Sequence, residues 1–371
     1  MTSPRPYDVL IVGAGVVGLG HAVHALARGA RVAVVERNPR AIGASVRNFG
    51  HGCVTGQAGD ALRYAMAARR DWLRLSKEAG FWIRDAGTVV VARADDEYEV
   101  LEDFHAERGD DVVLLDAAAV RGRVPVAGDV VGGAWLPLDL RVDAREAVGS
   151  IAAWLAGRGV DFHWSTSVHG VEGDTVRTSR GALRAADVVV AVGHDVDRLY
   201  PEVAAGHEVL RCALHMLELD DPAHTTVDPA VLTGWSLLRY DGFAVSPALE
   251  RVRERLASAD PAGVEAGLNL MFTQRPTGEI VFGDTHDYAD AIPPFRAEQR
   301  DELLLSHARR LFGSDALRIR ARWRGVYASA PQPFLIETPT PGVHVVSVTA
   351  GIGMTTAFGL AEHVVENLPT P

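Results

Sequence analysis

The segment YDVLIVGAGVVGLGHAVHALARGARVAVVERN, residues 7–38, decides the fold. Its two strand-like runs, Val9–Val12 and Arg31–Val35, are typical of strands that are buried on both faces. Between them lies the pattern G-x-G-x-x-G, which opens a helical stretch that ends near Gly29. Strand, glycines, helix and strand in this order predict a β–α–β unit that binds a dinucleotide.

The glycines and the acid of this unit have separate physical roles. Gly13 makes a tight turn, Gly15 lets the backbone approach a pyrophosphate, and Gly18 allows the helix to pack closely on the strand. The helix N-terminus offers free N–H groups to the phosphates. Glu36, at the end of the second strand, accepts hydrogen bonds from ribose hydroxyls and repels a 2′-phosphate. The predicted dinucleotide contacts also include Val16, Val17 and Arg37.

The residues after this unit favour FAD over NAD. An NAD dehydrogenase usually continues at once with further alternating strands and helices. Here an irregular loop, ASVRNFGHGCVTGQ at residues 44–57, is followed by a helix predicted over residues 60–80. No second glycine fingerprint is present to hold a separate nicotinamide. The sequence therefore predicts one tightly held FAD, with an NAD-dependent dehydrogenase as the alternative.

Composition limits the other classes of function. The chain has 371 residues, of which 47% are hydrophobic and 23% charged, and a formal net charge of −11. This balance argues against nucleic acid as a partner. Two cysteines make no disulfide framework, and no zinc-type spacing is present, so we expect no metal. No apolar run approaches the roughly 18 residues of a membrane span, which favours a cytoplasmic protein.

Three segments resemble the D-amino-acid-oxidase-like flavoproteins, which include glycine, sarcosine and D-amino acid oxidases. They are DVLIVGAGVVGLG with VVERN (8–20 and 34–38), VVVAVGHD (188–195) and VTAGIGMTTAFGLAEHV (348–364). The resemblance implies an α/β fold. It consists of a GR2-type FAD-binding Rossmann-like domain and a second substrate domain on a mixed, largely antiparallel β-sheet. The predicted domain bounds are 1–83, 142–207 and 311–371 for FAD, and 84–141 and 208–310 for substrate.

The loop GASVRNFGHGCVTGQ, residues 43–57, is similar to that of a bacterial subgroup linked to aminophosphonate oxidation. The chain departs from that subgroup at Gly52-Cys53-Val54, where the subgroup has Trp-Pro before Thr-Gly-Gln. The resemblance implies oxidative deamination: hydride passes from the α-C–H to flavin N5, and the resulting imine is hydrolysed. The expected substrate is a small aminoalkylphosphonate similar to 2-aminoethylphosphonate. The alternative is a carboxylate-bearing amine such as sarcosine, glycine or a D-amino acid.

The resemblance also implies which residues lie against FAD. Ser45, Arg47 and Asn48 are expected at the phosphates or ring, and Phe49 and Gly50 at the approach to the isoalloxazine. Backbone N–H groups at the start of the last helix are expected to stabilise negative charge on the reduced ring. The remaining predicted cofactor residues are Val168, Ala191, Gly193, Trp323, Gly325, Gly351, Gly353, Met354 and Thr355.

Three residues are candidates for the substrate side of the ring. His51 lies in the same loop, residues 43–57, directly after Gly50 at the approach to the isoalloxazine. His286 follows a strand that faces the flavin in this family, and Tyr327 lies in a segment that crosses the flavin. Either histidine is a candidate for keeping the amine neutral. The strand Glu279–Gly283 lacks the lysine that several relatives place there. The electron acceptor therefore stays open between O₂ and another acceptor, as does the oligomeric state.

An anionic substrate requires a cation, and a bidentate arginine suits a carboxylate or a phosphonate. The candidates are Arg275, with Arg239 and Arg324 beside it as alternatives. In sarcosine-oxidase relatives a cysteine just before a late tyrosine binds the flavin covalently. This chain has Gly325 and Val326 before its tyrosine, which predicts non-covalent FAD and leaves Cys53 as a packing residue.

Overall fold

The computed structural model describes residues 6–220 and 225–369. About half of the connections between its strands contain an α-helix. No helix in these two ranges is both long and apolar enough to cross a membrane. The helices are α1 (Val16–Ala27), α2 (Gly59–Ala79), α3 (Asp95–Arg108), α4 (Ala117–Arg123), α5 (Ala144–Ala156), α6 (Val196–Leu199), α7 (Pro201–Gly206), α8 (Gly234–Leu237), α9 (Ala248–Ala259), α10 (Pro261–Glu265), α11 (Glu298–Phe312) and α12 (Gly353–Glu366).

The strands of the described residues form one large mixed sheet and one small sheet. They are β1 (Tyr7–Val12), β2 (Val32–Val35), β3 (His51–Gly52), β4 (Ile83–Arg84), β5 (Thr88–Ala92), β6 (Val113–Asp116), β7 (Gly132–Leu136), β8 (Leu140–Val142), β9 (Asp161–His163), β10 (Val168–Glu172), β11 (Thr175–Thr178), β12 (Gly181–Val190), β13 (Leu210–Leu219), β14 (Ala230–Thr233), β15 (Met271–Gln274), β16 (Ile280–Ala289), β17 (Ile319–Thr340) and β18 (Val343–Ala350). The large sheet runs β6-β7-β5-β14-β15-β16-β13-β17-β18-β12-β1-β2-β9, and the small one β3-β8-β4.

The half of the large sheet made of β18, β12, β1, β2 and β9 is parallel throughout. In register, Val9 lies beside Val32 of β2 and Asp187 of β12. Helices α1, α5 and α12 contribute to one core against this half, including Leu19 and Ile151. Because both faces are covered, these strands appear in the sequence as continuous apolar runs. The predicted α/β class with a Rossmann-like half is confirmed.

The other half is mixed and largely antiparallel. Strands β7–β5, β14–β15, β15–β16, β16–β13 and β13–β17 pair antiparallel, whereas β14–β5 is parallel. Its core includes the wholly buried Phe104, Phe243 and Phe272. The rings of Phe104 and Phe243 lie 4.6 Å apart. This is the mixed sheet that the sequence predicts for the second domain.

The long strand β17 joins the two halves of the large sheet. Its first part, up to Ser329, pairs with β13, and its second part, from Ser329 onward, pairs with β18. Residues near its midpoint, including Gly325 and Tyr327, therefore lie where the parallel and antiparallel halves meet. The domain limits predicted above remain predictions.

Candidate active site

A cavity of about 570 Å³ lies at the carboxyl ends of β1, β2 and β12, next to the midpoint of β17. Ligands of open α/β sheets bind at this edge of the strands. Most of the residues predicted to contact FAD line it. They are Gly13, Gly15, Val16, Val17, Glu36, Arg37, Ser45, Arg47, Asn48, Val168, Ala191, Gly193, Gly325, Gly351, Gly353 and Met354, together with the substrate-side candidate Tyr327.

Two of the predicted cofactor glycines lie outside the lining and serve close packing instead. A Cβ atom on Gly18 would lie 1.9 Å from the carbonyl oxygen of Gly13. A Cβ on Gly50 would lie 1.9 Å from the carbonyl oxygen of Val142. Neither backbone oxygen can move away cheaply, so only glycine fits at either position.

Three further predicted cofactor residues also lie behind the lining. Trp323 donates its Nε1–H to the carbonyl oxygen of Arg47 at 3.2 Å. Thr355 Oγ1 accepts from the backbone N–H of Cys53 at 3.1 Å. Phe49 packs against the core of the antiparallel half. These side chains hold the cofactor loop and the start of α12 in place.

The turn from β1 into α1 leaves a helix N-terminus open to a ligand. The N-cap Gly15 makes no side-chain cap, and the first turn contains no acid. The N–H of Val16 donates to Ser45 Oγ at 2.9 Å. A Cβ on Gly13 would lie 2.5 Å from the carbonyl oxygen of Ala191, on the far wall of the turn. An uncompensated helix dipole in a glycine cradle suits a pyrophosphate, so the residues fit FAD.

The acid at the end of β2 is held by backbone donors. Glu36 accepts from the N–H of Ala14 at 3.0 Å and from the N–H of Asn38 at 2.9 Å. This fixes the carboxylate at the cavity wall, as ribose binding requires. The neighbouring Arg37 is ion-paired with Asp195 at 2.5 Å. Its charge is therefore compensated by the protein, which agrees with a site without a 2′-phosphate.

At the β17 end of the cavity, Tyr327 belongs to a cluster of one arginine and two tyrosines. Arg239 donates from Nη2 to the hydroxyl of Tyr327 at 2.7 Å and from Nη1 to the hydroxyl of Tyr288 at 3.0 Å. A Cβ on Gly351 would lie 3.0 Å from the same Tyr327 hydroxyl, so the phenol packs on the turn before α12. The cluster thus reaches the part of the cavity expected to hold the flavin ring.

The guanidinium of Arg239 has no direct ion-pair partner in the part of the chain that the structure describes. Within residues 6–220 and 225–369, no carboxylate oxygen lies within 4.0 Å of it. Burial disfavours its charge, but the electrostatic effect of Tyr327 and Tyr288 outweighs burial and raises the pKa of Arg239 above its usual value. Both phenols accept from the guanidinium, and both hydroxyls also lie within hydrogen-bond reach of the Cys212 thiol. Tyr327 is the member of the cluster that lines the cavity, and Arg239 lies directly behind its hydroxyl.

The other two arginine candidates are engaged elsewhere. Arg275 lies outside the cavity lining and pairs with Asp143 at 2.9 Å. Arg324 donates its guanidinium to the carbonyl oxygens of residues 293 and 294. Of the three, only Arg239 donates from its guanidinium to a cavity residue among the residues described.

Neither histidine candidate lines the cavity. His51 is buried, with Nε2 bonded to Thr88 Oγ1 at 2.7 Å and 3.4 Å from Asp139 Oδ2. His286 is buried with Nδ1 bonded to the carbonyl oxygen of Gly267 at 2.8 Å. Burial and then the charge of Arg239 lower the pKa of His286 to about 3. His286 is therefore neutral throughout the physiological pH range.

His51, Cys53 and Asp139 form a buried group whose ligand-type atoms lie within 4.8 Å of one another. Asp139 Oδ1 accepts from the N–H groups of Val54 and Thr55 at 2.9 and 2.8 Å. Burial, followed by the charge of Asp139, raises the pKa of the Cys53 thiol well above its usual value. With a protonated thiol and a carboxylate bound to backbone, the group anchors the loop after the cofactor segment.

Sequence reasoning missed two polar residues of β16, Asp284 and Tyr288. The stretch GDTHDY places Asp284, His286 and Tyr288 at alternate positions, and such residues share one face of a strand. The prediction of His286 alone does not use this alternation. In the structure Tyr288 binds Arg239, and Asp284 Oδ2 lies 3.8 Å from His286 Nε2.

We expect FAD to be released completely when the protein is denatured. Cys53 and Cys212 are both buried and neither lines the cavity. Burial raises the pKa of Cys212 to about 11, so no thiolate is available beside the ring. Acid precipitation should leave a colourless pellet, and the intact mass should equal that of the 39.7 kDa polypeptide. A yellow pellet, or a mass increased by one FAD, would contradict this.

Comparison with known proteins agrees with this geometry. Residues 8–367 match the DAO family, described as FAD dependent oxidoreductase. Over 203 residues the chain is 26% identical to a glycine oxidase of Bacillus licheniformis, covering 51% of this chain and 54% of that protein. Over 216 residues it is 27% identical to the bifunctional protein ThiO/ThiG of a Nostoc species, covering 52% of this chain and 32% of that protein. The chain thus spans from a third to about half of these relatives.

A solved structure of similar fold covers nearly the whole chain. The glycine oxidase from Geobacillus kaustophilus superimposes with a TM-score of 0.79 at 19% identity, over 99% of this chain and 96% of that one. At this identity the likeness shows the fold alone. The family match extends over almost the entire sequence and does not depend on that likeness. The chain belongs to the DAO family of FAD-dependent oxidoreductases, with FAD as its cofactor.

Proposed function

We propose that the protein oxidises a small amine that carries an anionic group, and that the cavity beside β1, β2 and β12 holds the FAD. The observation that carries the proposal is the cluster of Arg239, Tyr288 and Tyr327, of which Tyr327 lines that cavity. The partly buried guanidinium of Arg239 has no direct ion-pair partner among the described residues, so it favours a ligand that supplies a counter-charge. An amine with an anionic end supplies it.

The protein's own contribution is orientation and a shielded site. When bound, FAD accepts the hydride from the carbon that bears the amine. Arg239 binds the anionic end of the substrate, and Tyr327, which lines the cavity and is bonded to Arg239, lies beside that end. Tyr327 fixes this end relative to the turn before α12, because it packs on Gly351. Holding the substrate by one end brings its C–H into a constant position.

We favour an aminoalkylphosphonate as the substrate. The remaining N–H donors of Arg239 and the hydroxyl of Tyr327 suit an anion with several oxygens, such as a phosphonate. The likeness of residues 43–57 to the aminophosphonate subgroup points the same way. The alternative is a carboxylate-bearing amine, which the similarity to glycine oxidases supports. Membership of an FAD-dependent family argues against the alternative of an NAD-dependent dehydrogenase.

A panel of amines under anaerobic conditions tests the proposal. The purified yellow protein is mixed with 2-aminoethylphosphonate, sarcosine, glycine or D-alanine, and loss of the oxidised flavin absorbance is followed. We expect the phosphonate to reduce the flavin fastest. Faster reduction by a carboxylate would establish the alternative substrate class, and no reduction by any anionic amine would overturn amine oxidation. Readmitting air or adding an artificial dye then identifies O₂ or another acceptor.

A further inference from the structure

Behind the anion-binding cluster lies a buried carboxylate that the proposed reaction has not used. Asp284 of β16 is 3% exposed. Its backbone N–H donates to the carbonyl oxygen of Asn269 at 2.6 Å, and the N–H of Asn269 donates back at 2.8 Å. Its Oδ1 has no hydrogen-bond partner among the described residues. An unpartnered buried carboxylate oxygen is unfavourable when it is ionised.

Hydrogen bonds connect Asp284 to the turn that presents Arg239. Asn269 Oδ1 accepts from Ser236 Oγ at 2.8 Å. The carbonyl oxygen of Ser236 accepts from the backbone N–H of Arg239 at 3.0 Å. The backbones of Asp284 and Arg239 are therefore connected through Asn269 and Ser236, and the carboxylate lies beyond the 4.0 Å of a direct ion pair with the guanidinium. The two charged groups still attract each other electrostatically.

The groups around Asp284 leave Arg239 as its only cationic neighbour among the described residues. His286, on the same face of β16, is neutral. Tyr240 and Cys212 also sense its charge, and burial raises the pKa of both, so they stay protonated. Burial raises the pKa of Asp284 to about 7, although Arg239 acts to lower it. The protonation of Asp284 therefore depends on whether the charge of Arg239 is compensated.

We propose that binding of an anionic group to Arg239 is coupled to the uptake of one proton by Asp284. The anion cancels the positive charge that stabilises the carboxylate, and the buried carboxylate then takes a proton. With a zwitterionic substrate the balance closes within the site. The ammonium nitrogen loses one proton, Asp284 gains it, and the amine becomes the neutral form that can be oxidised.

This coupling rests on the proposed function for its role in catalysis, but it can be tested without an amine. The FAD-loaded protein is titrated at pH 8 with methanesulfonate, a permanent monoanion that has no proton to give and no amine to oxidise. Calorimetry in buffers of different ionisation enthalpy counts the protons taken up. We expect about half to one proton per site, and affinity that falls as pH rises above 7.

Two variants locate the proton. Asp284→Asn should bind methanesulfonate with no proton uptake. The matched control, Asp287→Asn, lies on the same strand, where Asp287 is partly exposed and paired with His215 at 2.9 Å. It should retain the uptake of the wild type. Equal uptake in Asp284→Asn and the wild type would overturn the coupling.

Other outcomes also decide the matter. Failure of the wild type to bind methanesulfonate, or binding without a proton, overturns the proposal. If Asp284→Asn does not fold, infrared difference spectra of the wild type replace it. Appearance of a protonated carboxylic C=O band on adding methanesulfonate supports the coupling, and its absence overturns it. A negative amine panel with intact proton uptake would remove the amine chemistry alone, so the two failures are distinguishable.

Discussion

Replacing Arg239 with glutamine is expected to lower the second-order rate constant for anaerobic flavin reduction about 30- to 4,000-fold. This constant sets the rate at low concentrations of the best anionic amine. Removing one partner of a buried, hydrogen-bonded charge pair costs about 2–5 kcal/mol. The loss should appear mainly as a higher substrate concentration at half-maximal rate. In the proposed function the guanidinium binds the end of the substrate that does not react, so we expect it to bind substrate and transition state alike.

Stopped-flow reduction at several substrate concentrations measures this effect, with the flavin spectrum as the check that FAD remains bound. Arg239→Lys should lie between glutamine and the wild type, because it keeps the charge but loses the planar fork. Arg275→Gln is the matched control, since Arg275 is paired with Asp143 outside the cavity. If Arg275→Gln lost reduction and Arg239→Gln did not, the anion would bind elsewhere.

The parallel half of the fold and most of the cavity lining could be predicted because their signals are local. The strands predicted over Val9–Val12 and Arg31–Val35 are observed as Tyr7–Val12 and Val32–Val35. The open turn between β1 and α1 follows from glycine positions alone. A phosphate-binding site made of backbone N–H groups lies within one short, contiguous segment. Such a segment can be recognised from its residue types.

The substrate end could not be predicted in the same way, because it forms only when distant residues meet. Arg239 lies 49 residues from Tyr288 and 88 from Tyr327 in the sequence. The three candidate arginines look alike in the sequence, and their partners decide their roles. Arg275 is neutralised by Asp143, which lies 132 residues away. No local pattern encodes that pairing.

The histidines illustrate the same limit from the other side. The sequence predicts His51 and His286 on the substrate side of the flavin, because an imidazole can accept a proton and both residues lie next to segments expected to contact the cofactor. Burial then removes each of them from the cavity lining. The exposure of a side chain depends on which distant residues pack over it. The residue type alone does not predict this packing. The alternation of residues along β16 is more informative, because it groups His286 with Asp284 and Tyr288 on one face of the strand.

Gly13→Ala is expected to yield protein that does not retain FAD. Gly13 has φ of +106°, which L side chains rarely adopt, and its Cβ would lie 2.5 Å from the carbonyl oxygen of Ala191. A backbone oxygen in β12's extension cannot rotate away as a side chain would. The turn must therefore shift, and with it the N-terminus of α1, which we expect to bind the pyrophosphate. Flavin absorbance per polypeptide after gel filtration measures the loss.

The matched control for this change is Gly149→Ala, in the middle of α5. A Cβ there meets nothing within 4 Å, and alanine is favoured over glycine in a helix by about 1 kcal/mol. Gly149→Ala should therefore stay yellow and unfold at the same temperature or higher. A yellow Gly13→Ala protein would mean that the turn tolerates the shift, and the fit of this turn to the pyrophosphate would then be wrong. A Gly13→Ala protein that is folded but colourless would show that glycine at this position is needed for FAD binding and not for folding.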